Sequence, residues 1–318
     1  MVDVVITWVS GSDPAMIARM QPYLNDDNAK RNDIAGPDRL IQNGEVKYCV
    51  ASIYKFATSF VRKLFIVTDK QDPQIHSFIH QHFPDIYIPI EIIDQEYLFQ
   101  GYDSYYPVFN SIAIESMLYR IPGLSDNFIY LNDDVMFVRP VVEQDFVNNG
   151  LPVAYCTKNT AAWAAILHFF KAKKEGYKVL SHRDTMRPAA AILGKNHFQR
   201  TGHTSHSLSK LWFKDFFEKR PDVLINNIKH KFRDPGQVNI QSLFYTALVD
   251  DTNCTVIPPK KVEIVVRGNS KEKGYLCRKL KEIESKQNVK FVCFNGLNRF
   301  SDEEMKMYYQ WVEDRLGL

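Results

Sequence analysis

The chain has 318 residues, of which 45% are hydrophobic and 13% are aromatic. A chain of this size and composition can bury a large apolar core, which excludes a largely disordered protein. The 40 basic and 37 acidic residues leave a net charge of only +3, which excludes a protein that binds nucleic acid mainly through its overall charge.

The first half of the chain alternates strand and helix patterns. Residues 2–9 are rich in β-branched and aromatic side chains, and they predict a buried strand. A helical pattern begins at Glu45 and leads to the apolar run 64–67, which predicts a second strand. Residues 86–93 are a third strand candidate, and Pro89 within them favours a position at the sheet edge. Units of this kind build parallel sheets.

A second such unit follows along the chain. Residues 110–121 place apolar side chains at helical spacing, and residues 128–131 predict a fourth strand that stops at two aspartates. The second strand also ends in an acidic residue, Asp69. We therefore predict an α/β fold with a mostly parallel central sheet flanked by helices, and a ligand site at the carboxyl edge of that sheet.

The pattern becomes less regular after about residue 141. Helices are predicted over residues 208–217, 238–248 and 301–318, and the last begins with a Ser-Asp-Glu-Glu cap. We expect one domain over residues 1–318, in which residues 141–230 could form a sub-lobe. The C-terminal part is expected to be less regular and mainly helical.

The strongest local candidate for chemistry is the pair Asp133 and Asp134 at the end of the fourth strand. Paired carboxylates at a strand end can hold Mg²⁺ or Mn²⁺ against a diphosphate, and one of them could instead act as a general base. The alternative is that both aspartates only form a turn and cap the next element.

The turn after the first strand is a weaker candidate. Its glycine would let backbone amides approach a phosphate or ribose, and Trp8 could pack against a base or sugar. The segment lacks the glycine fingerprints of phosphate loops and dinucleotide sites. Taken alone, the segment is better explained as an ordinary strand-to-helix turn with a tryptophan in the core.

Three further side chains have both a functional and a structural interpretation. Glu115 lies among apolar residues, so it needs a partner if it is buried, or else it is a solvated surface charge. His203 and His206 have a spacing that could place both on one helical face near a metal, although such pairs are more often structural. Arg233 could clamp a phosphate or belong to a solvated basic face.

Four separated blocks of the sequence form a recognisable series. The first is residues 3–14 (DVVITWVSGSDP), and the second combines residues 44–48 (GEVKY), 65–69 (FIVTD), 109–115 (FNSIAIE) and 128–137 (FIYLNDDVMF). The third combines residues 202–206 (GHTSH) and 231–233 (KFR) with Asn239, and the fourth is residues 291–296 (FVCFNG). Together they resemble the Stealth family, which includes bacterial capsule phosphotransferases and the catalytic subunit of the animal enzyme that places GlcNAc-1-phosphate on lysosomal glycoproteins. Ser10 stands where Asp or Asn is usual, and Gly296 replaces an expected aspartate.

The resemblance implies a Rossmann-like or GT-A-like nucleotide-sugar fold and a sugar-1-phosphate transferase. Such an enzyme moves a hexose-1-phosphate or N-acetylhexosamine-1-phosphate from a UDP-sugar to a hydroxyl of an oligosaccharide or lipid-linked glycan, and it releases UMP. The implied roles are catalytic for Glu115, Asp134, His203 and Arg233, substrate-binding for Asp3, Trp8, Gly11, Asp13, Asn110 and Asn239, and metal-binding for Asp133 and Asp134.

Two other functions remain open. A metal-dependent glycosyltransferase would use the same donor but release UDP, and the departures at Ser10 and Gly296 leave room for an inactive nucleotide-sugar-binding module.

The cellular setting is predicted from the same sequence. The five cysteines lack CxxC spacing and are expected to be free thiols. The start of the chain lacks the pattern of a signal peptide. We therefore expect a cytoplasmic protein, with at most peripheral contact with the inner face of the plasma membrane.

Overall fold

The computed structural model describes residues 1–24, 41–160, 182–251 and 253–318. The strands in these ranges are β1 (Val2–Thr7), β2 (Val61–Thr68), β3 (Ile90–Asp94), β4 (Asn127–Asn132), β5 (Val135–Phe137), β6 (Val147–Asn148), β7 (Leu151–Thr160), β8 (His197–Thr201), β9 (His206–Ser209), β10 (Thr255–Ile257), β11 (Glu263–Arg267) and β12 (Phe291–Asn295). The α-helices are α1 (Pro14–Met20), α2 (Glu45–Phe56), α3 (Ile75–His82), α4 (Gln95–Leu98), α5 (Ser111–Glu115), α6 (His182–Met186), α7 (Pro188–Ile192), α8 (Lys210–Lys219), α9 (Pro221–Ile228), α10 (Ile240–Leu248), α11 (Tyr275–Ser285) and α12 (Asp302–Leu316).

A five-stranded sheet with the order β3-β2-β1-β4-β9 forms the centre of the fold. Its first four strands are parallel, and β9 runs antiparallel to β4. Strand β1 is almost wholly buried because helices cover both faces of the sheet. The predicted α/β fold with a mostly parallel central sheet is therefore confirmed.

Two apolar cores lie on opposite faces of this sheet. Successive side chains of a strand point to opposite faces, so Val4 packs into one core and Val5 into the other. The first core also contains side chains of α2, α11 and α12, and the second contains side chains of α5, α8, α9 and α10. Each core thus fixes helices from distant parts of the chain against one sheet.

A second sheet has the order β11-β12-β5, and its strand β5 follows β4 of the first sheet directly along the chain. Strands β11 and β12 are parallel, and β5 runs antiparallel to β12. Only Asp133 and Asp134 separate the end of β4 from the start of β5. The two aspartates therefore lie where the two sheets meet.

Two predicted elements differ in extent from the observed ones. The third strand starts only at Ile90, directly after Pro89, and it lies at the sheet edge as expected. The helix predicted over residues 110–121 ends as α-helix at Glu115 and continues as a 3₁₀ turn over Leu118–Arg120. The Ser116 hydroxyl donates to the Ile112 carbonyl oxygen at 2.7 Å, a local bond that competes with regular helix geometry.

The sub-lobe over residues 141–230 stays a prediction, and its residues 161–181 lie outside the described ranges. Strands β7 and β8 from this segment contribute Ala154, Cys156 and Phe198 to the second core. No helix in the described ranges is both long enough and apolar enough to cross a bilayer.

Candidate active site

The acid pair lies at the carboxyl edge of the central sheet. The last residue of β4, Asn132, pairs with Thr7 at the end of β1, and Asp133 and Asp134 follow directly. In open α/β sheets this edge is where ligands bind. The acid pair thus lies at the carboxyl edge of the sheet, as the sequence predicted.

Asp134 is held by strand β12 of the second sheet. Its Oδ2 accepts a hydrogen bond from Cys293 Sγ at 3.4 Å and a long one from Asn295 Nδ2 at 3.5 Å. Its Oδ1 is buried and has no hydrogen-bond partner among the described residues. Burial raises the pKa of this carboxyl group, because a charge is poorly solvated there. A carboxylate with a free buried oxygen is suited to a cationic ligand.

Asp133 is crowded by other acids. Gln42 Nε2 donates to its Oδ2 at 3.0 Å. Burial, together with repulsion from Asp134 and from Glu45 at the start of α2, raises the pKa of Asp133 to about 8. A cation at this edge would relieve that repulsion.

The oxygen donors present here fit a divalent cation such as Mg²⁺. Within the described ranges no group of three or more His, Cys, Asp or Glu side chains is arranged around a common metal position. Mg²⁺ commonly uses only one or two carboxylates and completes its shell with water and substrate phosphates. Asp133 and Asp134 match that mode of binding.

Tyr130, in the middle of β4, links Glu115 to Asn132, the residue that precedes the acid pair. Its hydroxyl lies 2.9 Å from Thr7 Oγ1, 2.7 Å from Asn132 Oδ1 and 3.1 Å from Glu115 Oε1. A hydroxyl has only one proton, so Tyr130 donates to either Asn132 or Glu115 at a time, and the Thr7 hydroxyl then donates to Tyr130. Sequence reasoning did not single out Tyr130, although a polar ring inside a buried strand was a usable signal.

Glu115 and Arg233 are brought together on the other side of Tyr130. Glu115 is buried, and its Oε2 accepts from Gln241 Nε2 at 3.0 Å. Burial raises the pKa of Glu115, and the nearby Arg233 charge opposes that rise. Arg233 Nη2 donates to Ser111 Oγ at 2.8 Å in the first turn of α5. The surface-charge interpretation of Glu115 is therefore wrong, because its carboxylate is enclosed.

The two histidines do not share a helical face. His206 lies in β9, pairs directly with Tyr130 and stacks on its ring with centroids 6.5 Å apart. His203 lies in the connection before β9, and its backbone N–H donates to Glu263 Oε2 at 2.8 Å. Burial lowers the pKa of His203 to about 4 and that of His206 to about 3, so both are neutral at pH 7.

Asp3 is not brought to this edge. It lies near the start of β1, at the amino edge of the sheet, so most of the length of the strand separates it from Thr7. Its carboxylate accepts from Arg62 Nε at 2.8 Å and from the Ser125 backbone N–H at 2.7 Å. The expectation that Asp3 lies near the nucleotide is corrected here, because its oxygens are engaged in an ion pair at the opposite end of the strand.

Three of the proposed substrate-binding residues are helix caps. The side-chain oxygens of Asp13, Asn110 and Asn239 accept from backbone N–H groups of α1, α5 and α10 at 2.9, 3.0 and 2.8 Å. Such caps satisfy amides that the helix itself leaves unbonded. These residues therefore have structural roles that account for their presence, and any contact with substrate would be additional.

Trp8 and Gly11 do lie at the carboxyl edge, directly after β1. The Trp8 backbone N–H donates to the Val67 carbonyl oxygen at 2.9 Å, and its ring packs against the first core. Sequence reasoning missed Gln71, whose amide holds the turn through bonds of 2.8 Å to Ser10 and to Asp13 Oδ2. Nothing in the sequence pattern indicated that contact.

Comparison with known proteins identifies a matching family region and two phosphotransferase relatives. Residues 39–153 match the model of Stealth protein CR2, conserved region 2. The chain is 37% identical over 164 residues to a capsular polysaccharide phosphotransferase, cps1A, of Actinobacillus pleuropneumoniae. The aligned region covers 50% of this chain and 42% of that protein. It is 30% identical over 253 residues to a capsular polysaccharide phosphotransferase of Neisseria meningitidis serogroup B. That alignment covers 76% of this chain and 62% of that protein. The chain thus spans less than two thirds of either relative.

A solved structure shares the fold. The apo structure of the bifunctional glycosyltransferase WbbM aligns with a TM-score of 0.50 and 12% identity, over 97% of this chain and 51% of that one. At this identity the likeness concerns the fold alone, which is GT-A-like as predicted. The matched conserved region contains Glu115, Asp133 and Asp134. With the two phosphotransferase relatives, this match shows that residues 39–153 carry a conserved region of the Stealth family.

Proposed function

We propose that the protein transfers a hexose-1-phosphate or N-acetylhexosamine-1-phosphate from a UDP-sugar to an acceptor hydroxyl during assembly of a capsule or other cell-surface polysaccharide. The observation that carries the proposal is the acid pair at the carboxyl edge of a GT-A-like sheet, in a chain whose relatives are named capsular polysaccharide phosphotransferases. The acceptor is an oligosaccharide or a lipid-linked glycan, and the reaction takes place in the cytoplasm, at the inner face of the membrane where the acceptor is lipid-linked.

The reaction makes one phosphorus–oxygen bond and breaks another. The acceptor oxygen attacks the sugar-bearing phosphorus, the bond to the UMP oxygen breaks, and the acceptor proton passes to a base. Positioning of the hydroxyl and stabilisation of charge on the phosphoryl oxygens supply most of the catalysis in such transfers.

Asp133 and Asp134 would hold Mg²⁺ or Mn²⁺ at the diphosphate. The bound cation would neutralise negative charge on the phosphate oxygens. Two features of the pair support this role. Asp134 Oδ1 has no hydrogen-bond partner among the described residues, and burial together with repulsion from Asp134 raises the pKa of Asp133.

His203 is our candidate for the group that accepts the acceptor proton or steadies the phosphoryl group. Its pKa of about 4 leaves it neutral at pH 7, so it has a nitrogen able to receive a proton. Its backbone is fixed by Glu263. A general base works best with a pKa near the operating pH, so the negative charge of the bound diphosphate would have to raise the pKa of His203 for this role.

Arg233 would contact phosphate oxygens, and Glu115 would act as a positioning residue. In the described part of the chain the guanidinium of Arg233 donates one hydrogen bond, to Ser111, so its other N–H groups can bind an anion. Glu115 supplies a nearby countercharge and orients Tyr130. The carboxylate would thus hold both groups in place without touching the reacting atoms.

A glycosyltransferase is the second candidate, because the fold is shared with WbbM. That reaction breaks the bond between sugar and phosphate and releases UDP. The nucleotide product therefore separates the two functions.

The test is to incubate the protein with UDP-sugars, Mg²⁺ and a glycan acceptor, and to identify the released nucleotide by chromatography. We expect UMP and a phosphodiester-linked product, both lost on addition of EDTA. Release of UDP would establish the glycosyltransferase instead. Binding of UDP-sugar without any consumption would leave only a binding module.

A further inference from the structure

Strand β11 presents an arginine to the site from the second sheet. Ile264 and Val266 are buried, so Glu263, Val265 and Arg267 point to the other face. The parallel register places Arg267 beside Asn295 at the carboxyl end of β12. Arg267 is thus the last residue of its strand and is exposed.

The face that carries Arg267 is the one that contacts the candidate catalytic groups. Cys293 and Asn295, which alternate onto one face of β12, both donate to Asp134. Glu263, on the same face of β11 as Arg267, accepts the backbone N–H of His203. The guanidinium therefore extends from a surface whose neighbours hold Asp134 on one side and His203 on the other.

The backbone at Arg267 is fixed because the chain just after β11 lies very close to the chain just after β12. The next residue, Gly268, donates to the Asn295 carbonyl oxygen at 2.9 Å. A Cβ at Gly268 would lie 1.9 Å from the Gly296 carbonyl oxygen, so only glycine allows this approach. The Arg267 backbone N–H also donates to Tyr275 Oη at 3.2 Å.

The side chain of Arg267 is available although its backbone is fixed. Among the described residues, no carboxylate lies within 4.0 Å of its guanidinium, and Glu263 Oε2 is already bonded to His203. Burial lowers the pKa of His203, and the positive charge of Arg267 lowers it further, which places the guanidinium near that histidine. An exposed cation on a rigid strand end, beside acids and a neutral histidine, is suited to an anionic ligand.

We propose that Arg267 binds non-bridging oxygens of the transferred phosphate, as a second phosphate-binding cation in addition to Arg233. The inference rests on the proposed function, because the phosphate belongs to the UDP-sugar. It assigns a binding role to the second sheet, which otherwise only supports Asp134 and His203.

The test compares Arg267→Met with Arg267→Lys and with Lys271→Met, which removes an exposed charge from the following loop. Binding of inorganic pyrophosphate with Mg²⁺ and binding of uridine are measured by calorimetry, and turnover of the UDP-sugar by UMP release. We expect Arg267→Met to weaken pyrophosphate binding and to lower kcat/KM by about 10- to 100-fold, the range for a lost hydrogen bond to a charged group. Uridine binding should not change.

The matched variants separate charge from fold. Arg267→Lys should retain part of the affinity, and Lys271→Met should behave as wild type. Thermal unfolding of each variant checks its fold, and if Arg267→Met is unfolded, the same comparison is made with Arg267→Lys and Arg267→Gln. Equal pyrophosphate affinity and equal kcat/KM in folded Arg267→Met would overturn the inference.

Failure of the inference and failure of the proposed function look different. If wild type releases UMP and Arg267→Met does so equally well, the function stands and the phosphate contact is rejected. If pyrophosphate binding depends on Arg267 but no UDP-sugar yields UMP, the phosphate contact stands and the proposed transfer is rejected. Absence of pyrophosphate binding by wild type rejects the contact.

Discussion

Asp134 has one carboxylate oxygen bonded to β12 and one buried oxygen without a partner in the described ranges. Asn keeps the shape but removes the charge. We expect Asp134→Asn to lower turnover by about 100-fold or more, in line with the loss of an electrostatic catalytic group. The variant should unfold at the same temperature as wild type or higher, because burial disfavours the charged form.

UMP release and thermal unfolding measure the two effects of Asp134→Asn. Asp85→Asn is the control, because Asp85 is exposed and lies far along the chain from the acid pair. A folded Asp134→Asn protein with normal turnover would remove Asp134 from the site.

Glu115 offers a second test at the residue scale. Glu115→Gln keeps an acceptor for Tyr130 but removes the countercharge beside Arg233. We expect kcat to fall by roughly 10-fold or more with a smaller change in KM, since a displaced positioning group acts mainly on the reacting geometry. Steady-state kinetics with the UDP-sugar measure this. A KM effect alone would indicate that Glu115 binds donor sugar instead.

The residues of the site could be predicted only where a local pattern existed. Asp133 and Asp134 follow an apolar strand, so their position at the sheet edge could be inferred from the sequence. The burial of Glu115 could not, because a lone acid in an amphipathic pattern suits either face. The roles of Asp13, Asn110 and Asn239 as caps required knowledge of where each helix begins.

At the scale of elements, the close approach of the ends of β11 and β12 depends on Gly268. Gly268→Ala would place a Cβ 1.9 Å from the Gly296 carbonyl oxygen. The strand ends must then separate, and we expect a loss of about 1–3 kcal/mol in the free energy of unfolding, as for other overpacked sites. Urea unfolding measures it, with Ser270→Ala, an exposed neighbour, as control. Equal stability of Gly268→Ala and wild type would show that the two strand ends are not tightly packed against each other.

Elements with their own end signals could be predicted well. The final helix was expected to start at a Ser-Asp-Glu-Glu cap, and Ser301 and Glu304 form a capping box there. Strand β9 was missed, because four residues beginning at His206 are too short for a periodic signal. Strand β11 was also missed, because its five residues are flanked by many charged side chains. Both strands are defined by pairing with distant partners, which a local pattern does not encode.

For the whole molecule, the buried histidines affect stability at low pH. Burial lowers the pKa of His206 to about 3, whereas the unfolded chain has an ordinary value near ~6.5. As pH falls below ~6.5, the unfolded state takes up a proton that folded His206 does not, so stability is lost as the pH falls. At pH 5 the loss from this group is about 2 kcal/mol.

The comparison of wild type with His206→Phe isolates that effect. Phe retains an aromatic ring beside Tyr130 but cannot be protonated. We expect the free energy of unfolding of the variant to improve relative to wild type as the pH falls from about 7 to 5. Urea titrations at several pH values measure the difference. A difference independent of pH would mean that His206 is solvated in the folded state.

The pairing of β4 with β9 also has a consequence for how such proteins diversify. Backbone hydrogen bonds, rather than the chain between them, fix the strand that ends at the acid pair beside the strand that carries His206. Since this ladder fixes the two strands, length changes between β5 and β9 that spare the core residues Ala154, Cys156 and Phe198 should leave both strand ends in place. Proteins that differ in those connections should therefore keep the same spacing between Tyr130 and His206.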